Sequence, residues 1–202
     1  MKTDHTKAIL VRFEETDIAE LLRSSLIPLI EQARAQQIEL RVVTLGAVPR
    51  LAVDNEKLAW AVAALAGNAL RYVCNGSVER AGGSVLVHLE HDDEKKEVAI
   101  AVQDDGPGIP KDKLPYLFER RRGAPHVEGL ALSLVREIVA AHGGRIEVES
   151  RTGDEGHGTS NTIRIPLEGG LGLRRSSRNL SVRPRSTQTG TNFWRRRLGL
   201  PG

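Results

Sequence analysis

Apolar positions along this chain recur with two different periods, and the alternation between them outlines a fold. Residues 8–13 (AILVRF) read as a short strand. Between 17 and 36, Ile18, Leu21, Leu22, Leu26, Leu29, Ile30 and Ala33 fall at steps of three and four, one apolar face of a helix. Residues 38–43 alternate as a strand, and 51–53 form a short strand stopping at Asp54, a good N-cap. The helix that follows runs to about Val73 and can turn Leu58, Ala61, Val62, Leu65, Ala69 and Tyr72 toward a core. Residues 84–90 and 97–103 alternate as two strands around a polar turn, a hairpin signal. A loop rich in Gly, Pro and charge occupies 104–128. A helix is expected over 129–142, ending at Gly143-Gly144, then strands at 145–150 and 161–167.

These elements add up to an α/β (α+β) two-layer sandwich. Its sheet is mixed, mostly antiparallel and of about five strands, with about three helices on one face. From Gly169 onward periodicity vanishes and Gly, Ser, Arg and Thr dominate, so residues 1–168 are expected as the domain and 169–202 as a disordered tail.

Composition sharpens this division. The formal charge of +3 conceals eight arginines and no acids or lysines after Glu168, which leaves the first 168 residues at −5. The basic balance therefore belongs to the tail, which carries no nucleic-acid-binding motif. Aromatics make up 3% of the chain, so the core is mainly aliphatic. No run is long and apolar enough to span a bilayer, the first ten residues lack a signal-peptide core, and the single Cys74 fits a reducing cytoplasm. The histidines have no metal-ligand spacing.

Three segments break their surroundings. Asn68 interrupts an apolar helix, with Arg71 and Tyr72 a turn later. In VQDDGPGIP (102–110) a strand runs into two carboxylates and a Gly-Pro-Gly turn, where backbone can approach a ligand closely. In 129–144 a glycine and small residues open a helix, whose first amides favour phosphate. Singly, each is commonplace: an exposed Asn, an acidic turn, a helix beginning with Gly.

Their order is what points to a function. GNALRY (67–72), DDGPGI (104–109), LFER (117–120), GLALSLV (129–135), AHGGRIEVES (141–150) and GHGTSNTIRIPL (156–167) stand in sequence. Together they resemble the GHKL (histidine kinase-like) ATPase superfamily, and within it the catalytic ATP-binding domain of two-component sensor histidine kinases. The resemblance implies ATP and Mg²⁺ as cofactors. Asn68 would ligate Mg²⁺, Arg71 would reach phosphate and Tyr72 would lie against the nucleotide. Asp104 would accept from the adenine amino group, with Gly106 and Gly108 keeping the base pocket open and Ile109 as its apolar wall. Gly129, Leu130 and Leu132 would form the helix start under the phosphates, and Thr159 would close the far side. No residue is assigned as catalytic with certainty.

The chain also departs from the family pattern. Ala64 stands where kinases carry a second Asn and hydrolysing relatives a Glu, so it cannot activate water. Val127 and Ala131 replace two glycines of the helix start, and Arg120, Arg121 and Arg122 fill a short lid. No phosphoacceptor hairpin is recognisable; His5 reads as a surface residue, and His91, His126, His142 and His157 as turn or loop residues. The implied role is transfer of the γ-phosphoryl group of Mg-ATP to a histidine on a phosphoacceptor domain elsewhere, with a response regulator as further partner. Two alternatives stay open: a degenerate nucleotide-binding or interaction module, and a serine kinase of the anti-sigma-factor type.

Overall fold

The computed structural model describes residues 9–74, 82–118, 128–153 and 157–167. In chain order the elements are β1 (Glu14–Thr16), α1 (Ile18–Ser25), α2 (Ile27–Ala35), β2 (Glu39–Leu45), β3 (Leu51–Val53) and α3 (Asn55–Tyr72). They continue with β4 (Ser84–Asp92), β5 (Glu97–Asp104), a short 3₁₀ turn (Leu114–Tyr116), α4 (Glu128–Ala141), β6 (Arg145–Arg151) and β7 (Gly158–Pro166). The main sheet has the order β2-β4-β5-β7-β6; β2 and β4 are parallel and every other neighbour pair is antiparallel. β1 and β3 form a separate two-stranded antiparallel sheet.

The expected sandwich is therefore present, with local differences. The single helix expected over 17–36 is two helices, because Pro28 has no N–H to offer the carbonyl of Ser24 and its ring crowds that turn. The bend is small: Ile30 N–H still donates to Leu26 O at 3.0 Å, and Ile18, Leu22, Leu26 and Ala33 still share a buried face. The strand expected at 8–13 is instead found at Glu14–Thr16, opposite Leu51–Val53. Arg12 N–H goes to the Asp54 carboxylate and Phe13 lies edge-on to His142, so this stretch is held by α3 and α4 and not by a ladder. His91, expected in a turn, lies within β4.

β5 is the centre of the sheet and is buried on both faces. Val98, Ile100 and Val102 point toward the helices beside Val85, Val87, Leu89, Ile163 and Ile165. Burying side chains of this size stabilises by about 1.5–3 kcal/mol each, which makes this layer the main driving force for folding. The opposite face carries Glu97, Ala99, Ala101 and Gln103, all buried, and charged side chains pair at its Glu97 end. Arg145 makes a two-pronged pair with Glu97, and Glu147 accepts from both Arg145 (3.0 Å) and Arg164 (2.9 Å). Beside them, burial first and the nearby Arg164 second push the His88 imidazole down to about 4.

α3 lies between α1 and α4, with Leu58, Ala61, Val62, Leu65, Ala66, Ala69 and Leu70 buried. Tyr72, expected to face the core, is 52% exposed, and Val73 fills the position below Ala69 instead. Asp54 caps the helix: Oδ1 accepts from Lys57 N–H at 3.0 Å, and Oδ2 from the Lys57 ammonium at 2.7 Å and from Arg12 N–H at 2.8 Å. Burial alone would raise this carboxyl, but those hydrogen bonds outweigh it and hold Asp54 at about 2.

Candidate functional site

Asp104 is the last residue of β5, and β7 delivers Thr159 directly opposite it. Opposed residues on neighbouring strands share a face and have Cβ atoms ~5 Å apart. Asp104 Oδ1 accepts from the Gly106 amide at 3.0 Å and the Thr159 amide at 3.2 Å. Among the described residues no hydrogen bond is seen at Oδ2. Burial pushes the carboxyl up to about 6 against the pull of those two amides, with the neighbouring Asp105 charge adding to the rise.

The loop after Asp104 is pinned from three sides. Asp105 accepts from Ser84 N–H and from the Ser84 hydroxyl, each at 2.8 Å, tying the loop to the start of β4. The His157 ring nitrogen Nδ1 donates to Gly106 O at 2.9 Å, tying it to the start of β7. Ile109 N–H donates to Ser150 Oγ at 2.7 Å, tying it to the end of β6. Gly106 sits against the end of α3, with the site of a missing Cβ 3.2 Å from Tyr72 O. Gly108 has φ +76° and a Cβ there would lie 1.8 Å from Arg151 O, so only glycine fits. Gly158, at φ +127°, also passes too close to Asp104 O to carry a side chain, at 2.2 Å for a Cβ.

The structure thus brings Asp104, Gly106, Gly108, Ile109 and Thr159 into one cluster, with the backbone of Tyr72 against it. Asn68 lies one turn before Tyr72 on α3, half-buried, and Arg71 is exposed on the last turn. Ala64 is half-buried a turn earlier and brings no acid. Gly129 and Leu130 fall in the first turn of α4, where the side chains lie outside the described residues; Leu132 packs partly buried against the core, next to the half-buried Ala131. α4 itself packs against α3, β6 and β7. Arg120, Arg121, Arg122, His126 and Val127 lie outside the described residues, as do Glu168 and the expected tail, 169–202.

Sequence reasoning missed two residues of this cluster. Ser150 follows Ile146 and Val148 on the helix-facing side of β6, so a polar residue at an inward position was the available signal. His157 is the single side chain between two glycines in GHG, a turn whose polarity hid its contact.

Residues 53–169 match the family described as histidine kinase-, DNA gyrase B-, and HSP90-like ATPase. The chain belongs to that family. Within it the domain is 32% identical over 148 residues to the adaptive-response sensory kinase SasA of Synechococcus sp. (strain JA-3-3Ab), covering 71% of this chain and 37% of that protein. It is also 32% identical over 143 residues to the alginate biosynthesis sensor protein KinB of Pseudomonas aeruginosa, covering 68% and 22%. Its fold matches full-length ShkA in complex with AMPPNP with a TM-score of 0.66 at 26% identity, over 79% of this chain and 32% of that one. The chain thus spans less than two-fifths of the length of these relatives, and what it matches is the histidine kinase-like ATPase domain of sensor kinases. No helix among the described residues is long and apolar enough to cross a membrane.

Proposed function

We propose that this domain binds Mg-ATP and transfers its γ-phosphoryl group to a histidine on a phosphoacceptor domain, as the catalytic part of a sensor kinase. The observation that carries the reading is Asp104: a buried carboxylate at a glycine-rich loop, whose Oδ1 is held by two amides and whose Oδ2 has no hydrogen bond among the described residues. Such a group is costly to bury, and it suits a ligand amino group that donates to it. The adenine ring would then lie against Ile109, with Thr159 beside the amino group.

Mg²⁺ is a hard cation that takes few protein ligands and completes its shell with phosphate and water oxygens. Among the described residues no cluster of three or more His, Cys, Asp or Glu gathers, and Asn68 supplies the amide oxygen that fits such a role. Arg71 and the first amides of α4, Gly129, Leu130 and Leu132 among them, would take phosphate charge, and Tyr72 would lie along the nucleotide.

Ala64 favours transfer over hydrolysis. Water needs a general base, and the helix offers none one turn before Asn68. A neutral imidazole carries its own lone pair: its nitrogen forms the P–N bond as the P–O bond to ADP breaks. A response regulator would receive the phosphoryl group afterwards, and the reading places the domain in the cytoplasm. Titrating the chain with ATP in Mg²⁺ and in EDTA tests the metal assignment. Mg²⁺ should tighten binding to the wild type and lose that effect in Asn68→Ala; equal dependence in both would contradict the assignment.

A further inference from the structure

We propose that Ser150 sets the preference for a 6-amino purine by fixing the direction of the Thr159 proton. The inference rests on the nucleotide-binding reading above and names the residue that makes the base site selective.

The protons and lone pairs of the two hydroxyls decide the direction. A serine hydroxyl has one proton to give and two lone pairs. Ile109 N–H occupies one lone pair of Ser150 Oγ at 2.7 Å. Gly158 O, at 3.0 Å, is an acceptor only and takes the single proton of Ser150. Thr159 Oγ1 lies 3.0 Å from the same Ser150 oxygen. With the Ser150 proton committed, that contact requires Thr159 to donate into the remaining lone pair. The Thr159 hydroxyl is then left with lone pairs alone toward its other neighbours.

Thr159 and Asp104 are opposed on adjacent strands, so two acceptors stand side by side at the end of the sheet: a carboxylate oxygen and a hydroxyl whose proton is engaged by Ser150. A 6-amino purine brings two N–H groups and can satisfy both. A 6-oxo purine sets an oxygen lone pair toward these acceptors and offers a single N–H beside it, at N1, so at least one of the two is left unsatisfied. Sites built around polar groups reject the analogue that leaves them unpaired more strongly than apolar pockets do. Because Ser150 also holds Ile109 and Gly158, it couples this choice to the placement of the glycine loop and of β7.

The test is the affinity of the full chain for Mg-ATP against Mg-ITP, which differ only at the base and carry an amino and an oxo group at position 6. Wild type should favour ATP. In Ser150→Ala the Thr159 proton is released to turn toward the 6-oxo group, and the ATP:ITP ratio should fall by about tenfold, one hydrogen bond's worth. Ser150→Thr restores the hydroxyl and should restore the ratio. Thr159→Val should lower the ratio by itself, and adding Ser150→Ala to it should change the ratio no further. If Ser150 only braces the loop, its alanine variant weakens both nucleotides equally, and an unchanged ratio overturns the proposal. Should Ser150→Ala not fold, an unchanged ratio in Thr159→Val overturns it equally. A wild type that binds neither nucleotide removes the nucleotide reading and this inference with it; a wild type that binds both without preference leaves nucleotide binding standing but removes the contact of Asp104 with the adenine amino group together with this inference.

Discussion

His142 and Asp54 are joined across 88 residues of sequence by a 2.9 Å hydrogen bond from the Asp54 amide to His142 Nε2. The other ring nitrogen, Nδ1, donates to Ile138 O at 2.8 Å, which fixes the neutral tautomer. One buried imidazole thus closes the last turn of α4 onto the first turn of α3. The two helices that carry Asn68 and Gly129 are set relative to each other by this contact.

Replacing His142 with Ala leaves the Asp54 N–H buried without its acceptor, opens a cavity and removes the edge-on contact with Phe13. The expected loss is about 2–4 kcal/mol. Urea denaturation reads it directly. His142→Phe refills the space without restoring the acceptor and should recover only part of the loss.

The pH dependence of stability should contain two opposing contributions in one window. Asp104 is raised from 3.8 to about 6, so the folded state holds its proton more tightly and stability falls as pH rises between those values. His88 is lowered from 6.5 to about 4, so its contribution is complete above the unfolded value and is lost as pH falls through the folded one. The two slopes oppose each other in wild type. Asp104→Asn keeps an acceptor for the Gly106 and Thr159 amides but removes the buried charge. It should leave stability unchanged in acid and raise it by up to about 3 kcal/mol at neutral pH, exposing the His88 slope. Denaturation of both proteins across this range checks the sign. ATP affinity moves the other way: it needs the ionised carboxylate and should fall as pH drops through about 6.

Two glycines should respond in opposite directions to alanine. At Gly108 the left-handed φ and the Arg151 carbonyl both exclude a Cβ, so Gly108→Ala should cost about 1–3 kcal/mol from strain alone and displace Ile109 from Ser150. At Gly67 nothing lies within 4 Å of an added Cβ, and the residue is mid-helix. Gly67→Ala should stabilise by about 0.5–1 kcal/mol. Thermal melts of the two variants beside wild type decide this.

Periodicity carried most of the architecture because the apolar faces are long and regular. The stripe from Ile18 to Ala33 survived as one buried face even though Pro28 divides the helix, since the core rewards the face and not the continuity of hydrogen bonds. The apolar content of 8–13 misled because a strand needs a partner: β3 is three residues long and pairs with Glu14–Thr16. Tyr72 misled because an apolar position at a helix end can be taken by its neighbour, here Val73. Asp104, Gly106 and Gly108 stood out in the sequence because a charge and two glycines at the end of an apolar strand have no packing use. Ser150 and His142 did not, since what distinguishes them is which atoms meet across β6, β7 and the two helices.

The central claim is that Asp104 is the recognition point of an ATP site. Calorimetric titration of the chain with Mg-ATP, wild type beside Asp104→Asn, tests it most directly. The account predicts saturable binding to wild type that Asp104→Asn abolishes while the variant stays folded and, at neutral pH, more stable. Equal binding by the two proteins, or none by wild type up to millimolar nucleotide, would contradict it.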